Sequence, residues 1–429
     1  MTPTTEGKPD RVRAWIAWVV ASSCLFFQFV VQVQPLAMIN ELETAFQADA
    51  MDIGLLTSAY FVTYILLQIP MGWLLDHLGP RLVLGLSMVL GAVGMIWFGQ
   101  ASTLGSATAA RVLLGIAGAP AFAAAALVAS RGFPESRFAL MLGLTEAFTL
   151  LGGIAVAIGL PSLSLMVDRN GSGIMLAAVS ILLGVACFLL VFGRERRPSR
   201  AVSLSGQSAE APRSVLRTLL DLRLWLAGLH AGLFFVIISA FGGLWAAPFF
   251  RARLNLEPEY SSYPVAMLFA AGVLGAPLLG LISGRPRWRG PTLIVASFLC
   301  TAASAALIYA PGGLAVLLLL IALLGFFSGV FGVDMACVQD AAPPGRRGLA
   351  MGAANMILGV VGGPLMVLVI ARALDGSSGS GEVEPMHATL SQMREALGWF
   401  VGAIALTIPI GVALVLVLKS GARLREPMS

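Results

Sequence analysis

Gly72-Trp-Leu-Leu-Asp76-His-Leu-Gly79-Pro80-Arg81 is a short polar turn between two long apolar runs. It carries an aspartate, two glycines and an arginine at fixed offsets. A glycine at 72 lets two helices approach closely. Asp76 can accept hydrogen bonds from the free amide end of a neighbouring helix. Gly79 suits a tight turn, and Arg81 puts a cation on the loop.

Apolar runs like these fill the chain. Of its 429 residues, 58% are hydrophobic and 11% charged, against roughly 25% charged in soluble domains. Such a chain cannot cover itself with water-compatible surface, so the bilayer is its expected solvent. Runs of about 20 residues, enough to cross ~30 Å of hydrocarbon, fall at 14–39, 52–75, 80–100, 104–130, 137–164 and 172–193. Six more fall at 224–250, 262–283, 290–310, 313–338, 347–371 and 395–418. The expectation is an all-α membrane protein of twelve transmembrane helices with both termini on one side. Cys24, Cys187, Cys300 and Cys337 all lie within these runs, which indicates burial and neither a disulfide nor a metal framework. The hydrophilic opening residues precede a run too long for a signal-peptide core, so the N-terminus is expected to be retained.

The net charge of +5 reads as membrane topology rather than as a nucleic-acid surface. With the N-terminus inside, 21 Arg and Lys fall on cytoplasmic segments. Only Arg169, Arg251, Arg253, Arg372 and Arg394 fall outside, and Arg111 lies within a span. The positive-inside rule then gives cytoplasmic N- and C-termini in an inner (plasma) membrane. Segment 194–223, with seven arginines, reads as a flexible linker between an N-terminal bundle, 1–193, and a C-terminal bundle, 224–429.

A repeat crosses that linker. Gly280-Leu-Ile-Ser-Gly284-Arg-Pro-Arg287-Trp-Arg289 lies 208 residues after the first polar turn, with Gly284 in place of the aspartate. Pro134, Arg137, Met141 and Gly152-Gly153 recur 210 residues on as Pro344, Arg347, Met351 and Gly362-Gly363. Two halves of matching hydropathy imply parallel structural repeats. Because its second copy already lacks the carboxylate, Gly284→Asp is expected to matter much less than loss of Asp76.

The pattern G-x-x-x-D-x-x-G-x-R after two spans resembles the signature loop of the major facilitator superfamily. Arg111 followed by Gly115 and Gly118 on helix four resembles that superfamily's second motif. The resemblance implies two pseudo-symmetric six-helix bundles, a central ligand site near mid-membrane and rocker-switch alternating access. It makes Gly72, Asp76, Gly79 and Arg81 gate residues, with Asp76 and Arg81 contacting the amide end of helix eleven and inner-loop partners. Phe26-Phe-Gln28-Phe-Val-Val-Gln32-Val-Gln-Pro35, Tyr60-Phe-Val-Thr-Tyr64-Ile-Leu-Leu-Gln68-Ile-Pro70 and Ala240-Phe-Gly-Gly-Leu-Trp245-Ala-Ala-Pro248-Phe are similar to segments of the lysosomal dipeptide transporter branch and its bacterial relatives. That branch tends to carry an Arg where this chain has Gln32.

Three ionisable residues stand clearly inside spans: Arg111, Glu146 and Asp334. Charges there are costly and usually face a cavity or a partner. Glu146 shares a helical face with Thr149, Gly153 and Ala157. It is the candidate proton-coupling residue, since a carboxylate can move between neutral and charged forms; an interhelical hydrogen bond is the rival reading. Arg111 can meet an anionic ligand group or snorkel to headgroups. Asp334 is a candidate gate contact for Arg287 or Arg346, or an ordinary interfacial aspartate. Gln28 and Gln32, Tyr60 and Tyr64, and Asn355 add donors and acceptors suited to a polar ligand. Trp245 reads as an interfacial anchor and His230 as structural.

No nucleotide-binding loop or hydrolase motif is present, so ATP-driven pumping is excluded and no enzyme or cofactor is expected. The partners expected are a small polar or zwitterionic solute, a short peptide or organic acid, together with lipid and protons as the coupling ion. No dimerisation signal is evident, so the chain reads as a monomer. A facilitated-diffusion uniporter and a non-transporting solute sensor are the competing readings. Topology is directly testable. A cysteine at Ser205 should be labelled only from the cytoplasm and one at Ser378 only from outside; labelling from one common side overturns the twelve-span arrangement.

Overall fold

The protein, as a computed structural model, is described over residues 10–48, 50–164, 167–193, 210–256, 260–261, 263–343, 345–376 and 388–423. Ser205, Pro344, Ser378, residues 194–209 of the linker and the side chain of Ala157 lie outside the described residues. Within these bounds eleven helices are long and apolar enough to cross a membrane. They are helix one (Arg11–Val33), three (Pro80–Gln100), four (Leu104–Gly132), five (Glu135–Ile154), six (Arg169–Leu190) and seven (Leu222–Leu254). The rest are eight (Tyr263–Ile282), nine (Pro286–Tyr309), ten (Leu314–Ala341), eleven (Arg347–Leu374) and twelve (Leu390–Ser420). Helix two is a pair, Asp52–Leu66 and Gln68–Leu78, bent by 49°. With it the spans number twelve.

Prolines explain the breaks. Pro70 has no N–H for the carbonyl of Leu66, four residues back, and the bend of helix two falls there. Pro35 likewise leaves the carbonyl of Val31 without a helical donor. Helix one therefore stops at Val33, short of the expected 39, and runs through a tight 3-10 segment, Gln34–Met38, into a short helix, Ile39–Phe46. Helix seven widens into a π segment at Ile237–Trp245, and helix eleven does so at Val361–Leu365, which contains Pro364 and a non-helical Gly363. The linker is not irregular throughout, because Glu210–Leu219 is helical. Asp221 then caps helix seven, its carboxylate accepting from the Arg223 amide at 2.9 Å.

The burial pattern inverts that of a soluble protein. Gln28, Arg111, His230 and Asp334 are buried, whereas Leu182, Leu189, Leu274 and Leu281 are exposed. Trp15, Trp73, Trp97, Trp225, Trp288 and Trp399 are also exposed. All but Trp399 sit within two turns of a helix end, as interfacial anchors do. Trp245 is not one of them. At 2% exposure it is core, within the π segment and well short of the end of helix seven at Leu254.

Two compact units emerge. One comprises Met1–Glu135, Leu151–Leu220 and Ala342–Asn355; the other comprises Ser136–Leu150, Asp221–Ala341 and Met356–Ser429. In the first, helix four supplies the centre: Ala121–Ala129 is buried all round, its small side chains permitting close packing. In the second, helices eight and five touch backbone to backbone. A Cβ on Gly284 would stand 2.4 Å from the carbonyl oxygen of Ser136, and one on Gly280 would be 2.4 Å from that of Ala139. The expectation that an aspartate is tolerated at 284 is therefore corrected: any side chain there meets immovable backbone. Gly284→Ala should destabilise by about 1–3 kcal/mol through overpacking. Gly402→Ala, where no atom lies within 4 Å, should be neutral or stabilising. Thermal unfolding in detergent compares the two, and equal midpoints would refute the contact.

Candidate functional site

Helix two carries Tyr60, Tyr64, Gln68, Gly72 and Asp76 at four-residue steps, each about one turn from the next, and the last four form a stripe that winds about the bent helix. Within the first unit the N-terminal half of helix eleven lies along this stripe. Gly72 and Gly348 meet so closely that a Cβ on Gly72 would be 2.3 Å from the Gly348 carbonyl oxygen. One turn on, a Cβ on Gly352 would be 2.2 Å from that of Gln68.

That proximity delivers Asp76 to the start of helix eleven. Its two carboxylate oxygens accept from the backbone N–H groups of Gly348, at 2.8 Å, and Leu349, at 2.9 Å. These are free amides of a helix N-terminus, where a carboxylate is favoured by both the hydrogen bonds and the dipole. Arg131 and Arg346 add positive charge nearby. At the other end of the contact, Asn355 Nδ2 donates to the Tyr64 hydroxyl at 2.9 Å and to Gln68 Oε1 at 3.0 Å, while Gln68 Nε2 donates to the Tyr64 carbonyl at 3.2 Å.

Gly79 has φ 83°, a left-handed value that only glycine adopts without strain, and it turns helix two into helix three. Arg81 does not reach helix eleven. Its Nε donates to the Val191 carbonyl at 2.8 Å and its amide to that of Phe192 at 3.2 Å, closing the carbonyl end of helix six. Arg131 holds the next carbonyl, Gly193, at 3.2 Å.

Arg111 is fully buried and does not snorkel. Its Nη1 donates to the Val31 carbonyl at 2.7 Å and Nη2 to that of Gln32 at 2.8 Å. The first of these is the acceptor that Pro35 leaves free. The guanidinium lies 4.7 Å from the Tyr60 ring centroid, and Tyr60 stacks with Tyr64 at 6.1 Å. Beside it, both amide atoms of Gln28, the Tyr60 hydroxyl and Arg111 Nε are buried without a partner among the described residues. Gly118 marks their convergence, since a Cβ there would be 2.3 Å from the Tyr60 hydroxyl and 3.2 Å from Gln28 Oε1. Gln32 is half-buried and enters through its carbonyl.

Glu146 belongs to the second unit and is half-buried. Its neighbours Thr145 and Thr149 return their hydroxyls to the carbonyls of Met141 and Thr145. Asp334 is fully buried, and its carboxylate meets His230 at 2.9 Å rather than the expected inner-loop Arg287 or Arg346. Sequence reasoning placed it too near the surface because helix ten continues to Ala341. It also gave no role to Gly348, Gly352 or Ser297; spacing along helix two could have pointed to the first two, but nothing local singles out the serine.

Known proteins agree with this architecture. Over 92% of the chain or more, solved structures superpose at low identity. The FucP transporter crystallised in the outward conformation matches with a TM-score of 0.67 at 16% identity, covering 93% of this chain and 99% of that one. The human organic anion transporter MFSD10 matches with 0.66 at 17%, covering 94% and 100%. Among curated relatives, a probable galactarate/D-glucarate transporter, GudP, of Bacillus subtilis is 25% identical over 77% of this chain and 80% of its own. A probable L-galactonate transporter of Escherichia coli K12 is 25% identical over 55% of this chain and 54% of its own. The chain thus spans about half the length of that relative. The Major Facilitator Superfamily profile matches residues 18–367, and the chain belongs to that family.

Proposed function

We propose that the protein is a secondary transporter of small polyhydroxy organic acids, working by alternating access and coupled to protons through Glu146. The observation that carries the substrate class is the relationship to the galactarate/D-glucarate transporter, which extends over most of both chains. A probable sulfoacetate transporter, SauU, of Cupriavidus necator, similar over 30% of this chain, is another organic-acid carrier by name. The short-peptide alternative rests on the resemblance of sequence patches alone and takes second place.

The chemistry of the first unit suits such a ligand. Gln28, Tyr60, Tyr64, Gln68 and Asn355 offer donors and acceptors for hydroxyls. Arg111 offers a permanent cation whose Nε–H is not used by the two backbone bonds. In this reading the bond between Asp76 and helix eleven is a latch on the cytoplasmic side, and Gly72, Gly79 and Arg81 hold its geometry. A latch must be strong enough to close and weak enough to reopen. Two charge-assisted hydrogen bonds, at roughly 1.5–3 kcal/mol each, meet both conditions.

Counterflow of labelled solute in proteoliposomes tests the substrate class. Galactarate, glucarate or galactonate should exchange, and dipeptides should not; exchange of dipeptides alone would reverse the assignment. No exchange of any solute would favour the sensor reading. Asp76→Asn keeps the volume but removes the charge and one acceptor. It should weaken the latch by about 1–3 kcal/mol and slow transport while folding stays near normal. Unchanged transport would reduce Asp76 to a loop cap. Glu146→Gln should abolish concentrative, pH-driven uptake and spare exchange between equal pools, because exchange needs no net proton movement. Loss of both would make Glu146 a ligand or packing residue, and loss of neither would favour facilitated diffusion.

A further inference from the structure

Helix seven carries one ionisable side chain away from its ends, His230. Its Nδ1 lies 2.9 and 3.0 Å from the two carboxylate oxygens of Asp334 on helix ten. Its Nε2 lies 3.1 Å from the hydroxyl of Ser297 on helix nine. All three residues are fully buried. Helix twelve closes the remaining side with Gly411, where a Cβ would be 3.1 Å from Nε2.

The proton count follows from donors and acceptors. The Ser297 hydroxyl lies 2.8 Å from the Leu293 carbonyl, which can only accept. Its single hydrogen points there, so its oxygen accepts from His230 Nε2, which must carry a hydrogen. One further proton then sits between Nδ1 and the carboxylate. Imidazolium facing carboxylate and imidazole facing carboxylic acid are two descriptions of the same neutral pair. Neutrality is what an apolar interior requires, since an uncompensated buried charge costs several kcal/mol.

We propose that His230, Asp334 and Ser297 form a second proton-binding site, separate from Glu146, whose occupancy is linked to transport. Loss of the shared proton leaves a lone pair on Nδ1 against a carboxylate, with net negative charge, so the two groups must part. Among the described residues, His230 is the charged group that acts on Asp334, and no other cation close by offsets that charge. Cys337 lies near Asp334, and beyond it Arg289 and Asp340 neutralise each other as an ion pair. Helix twelve has no ionisable residue between Trp399 and Leu418, the 347–365 stretch of helix eleven has only Arg347, and helix seven adds only Arg223 near its start. On helix nine the other ionisable groups are Arg287, Cys300 and Tyr309. Parting would act on helix seven where it matters mechanically. Gly232, two residues on, packs against Leu358 and Val361 of helix eleven, and Ser239 in the π segment donates to the Gly362 carbonyl. The charge state of the pair thus bears on the contact between the two π segments.

Only the link to transport rests on the transporter reading; proton binding does not. Infrared difference spectra of the full chain in liposomes, taken across about pH 5 to 10, read the carboxyl directly. A pH-dependent carboxyl band should appear in the wild type and in Glu146→Gln, and vanish in Asp334→Asn and His230→Gln. Ser297→Ala, which removes only the tautomer-fixing hydroxyl, should keep the band and shift its midpoint. In the same liposomes Asp334→Asn should lose pH-driven uptake and retain counterflow. Identical spectra for wild type and Asp334→Asn, or full pH-driven uptake in that variant, overturn the proposal. Should Asp334→Asn fail to fold, an unshifted midpoint in Ser297→Ala does so. Absent counterflow of sugar acids in wild type, with the Asp334 band still titrating, rejects the substrate class and not the proton site.

Discussion

Hydrocarbon offers no water to a free N–H or C=O, so each break in a membrane helix must be answered from inside the protein. Here some of the answers come from polar side chains that the sequence makes conspicuous, Arg111, Asp76 and Arg81, and others from Arg131 and Ser239, which it does not. Pro35 frees the Val31 carbonyl and Arg111 takes it. Helix eleven begins with free amides and Asp76 takes two of them. Helix six ends with free carbonyls, and Arg81 and Arg131 hold the chain that leaves it. Helix eleven yields at Pro364, and Ser239 donates to the Gly362 carbonyl beside it. Motif residues are placed where the backbone needs them, and any part they take in transport is built on that placement.

This constraint bears on what Arg111 can do for a ligand. Moving its Nη groups onto a substrate carboxylate would orphan the Val31 carbonyl at a cost of about 1–3 kcal/mol. A grip that drew both Nη groups away from these carbonyls would first have to repay that loss. The unspent Nε edge carries no such penalty. It lies in the same buried group as the Gln28 amide and the Tyr60 hydroxyl, none with a partner among the described residues. An arginine half engaged by backbone is a stiff arginine.

Much of the fold was legible because bilayer thickness fixes helix length and because turns between spans are polar. The bend in helix two and the early end of helix one were legible in principle from Pro70 and Pro35, but reading runs by hydropathy alone smooths over them. Among the site residues, the contact of Asp76 with a helix amide end could be inferred from residue type and position. The partners of Arg81, Arg111 and Asp334 could not, since they depend on which helices meet: Val191 lies 110 residues from Arg81, and His230 lies 104 from Asp334. Trp245 misled because it stands near the outer end of a run expected to stop at 250, whereas helix seven continues to Leu254.

The repeat also shows how one backbone contact can be built with two chemistries. Where helix two meets helix eleven, close glycine packing is joined by carboxylate–amide bonds at one end and an Asn355–Tyr64–Gln68 cluster at the other. Where helix eight meets helix five, the related positions are Gly280 and Gly284 against Ala139 and Ser136, and no acid stands in place of Asp76. A contact made by packing alone loses energy gradually as surfaces separate. Charge-assisted bonds are directional and are lost within a small displacement, so the first contact tolerates less displacement than the second. The step from Asp76 to Gly284 between the repeats therefore leaves two glycine-packed contacts, of which the first alone carries a carboxylate–amide bond.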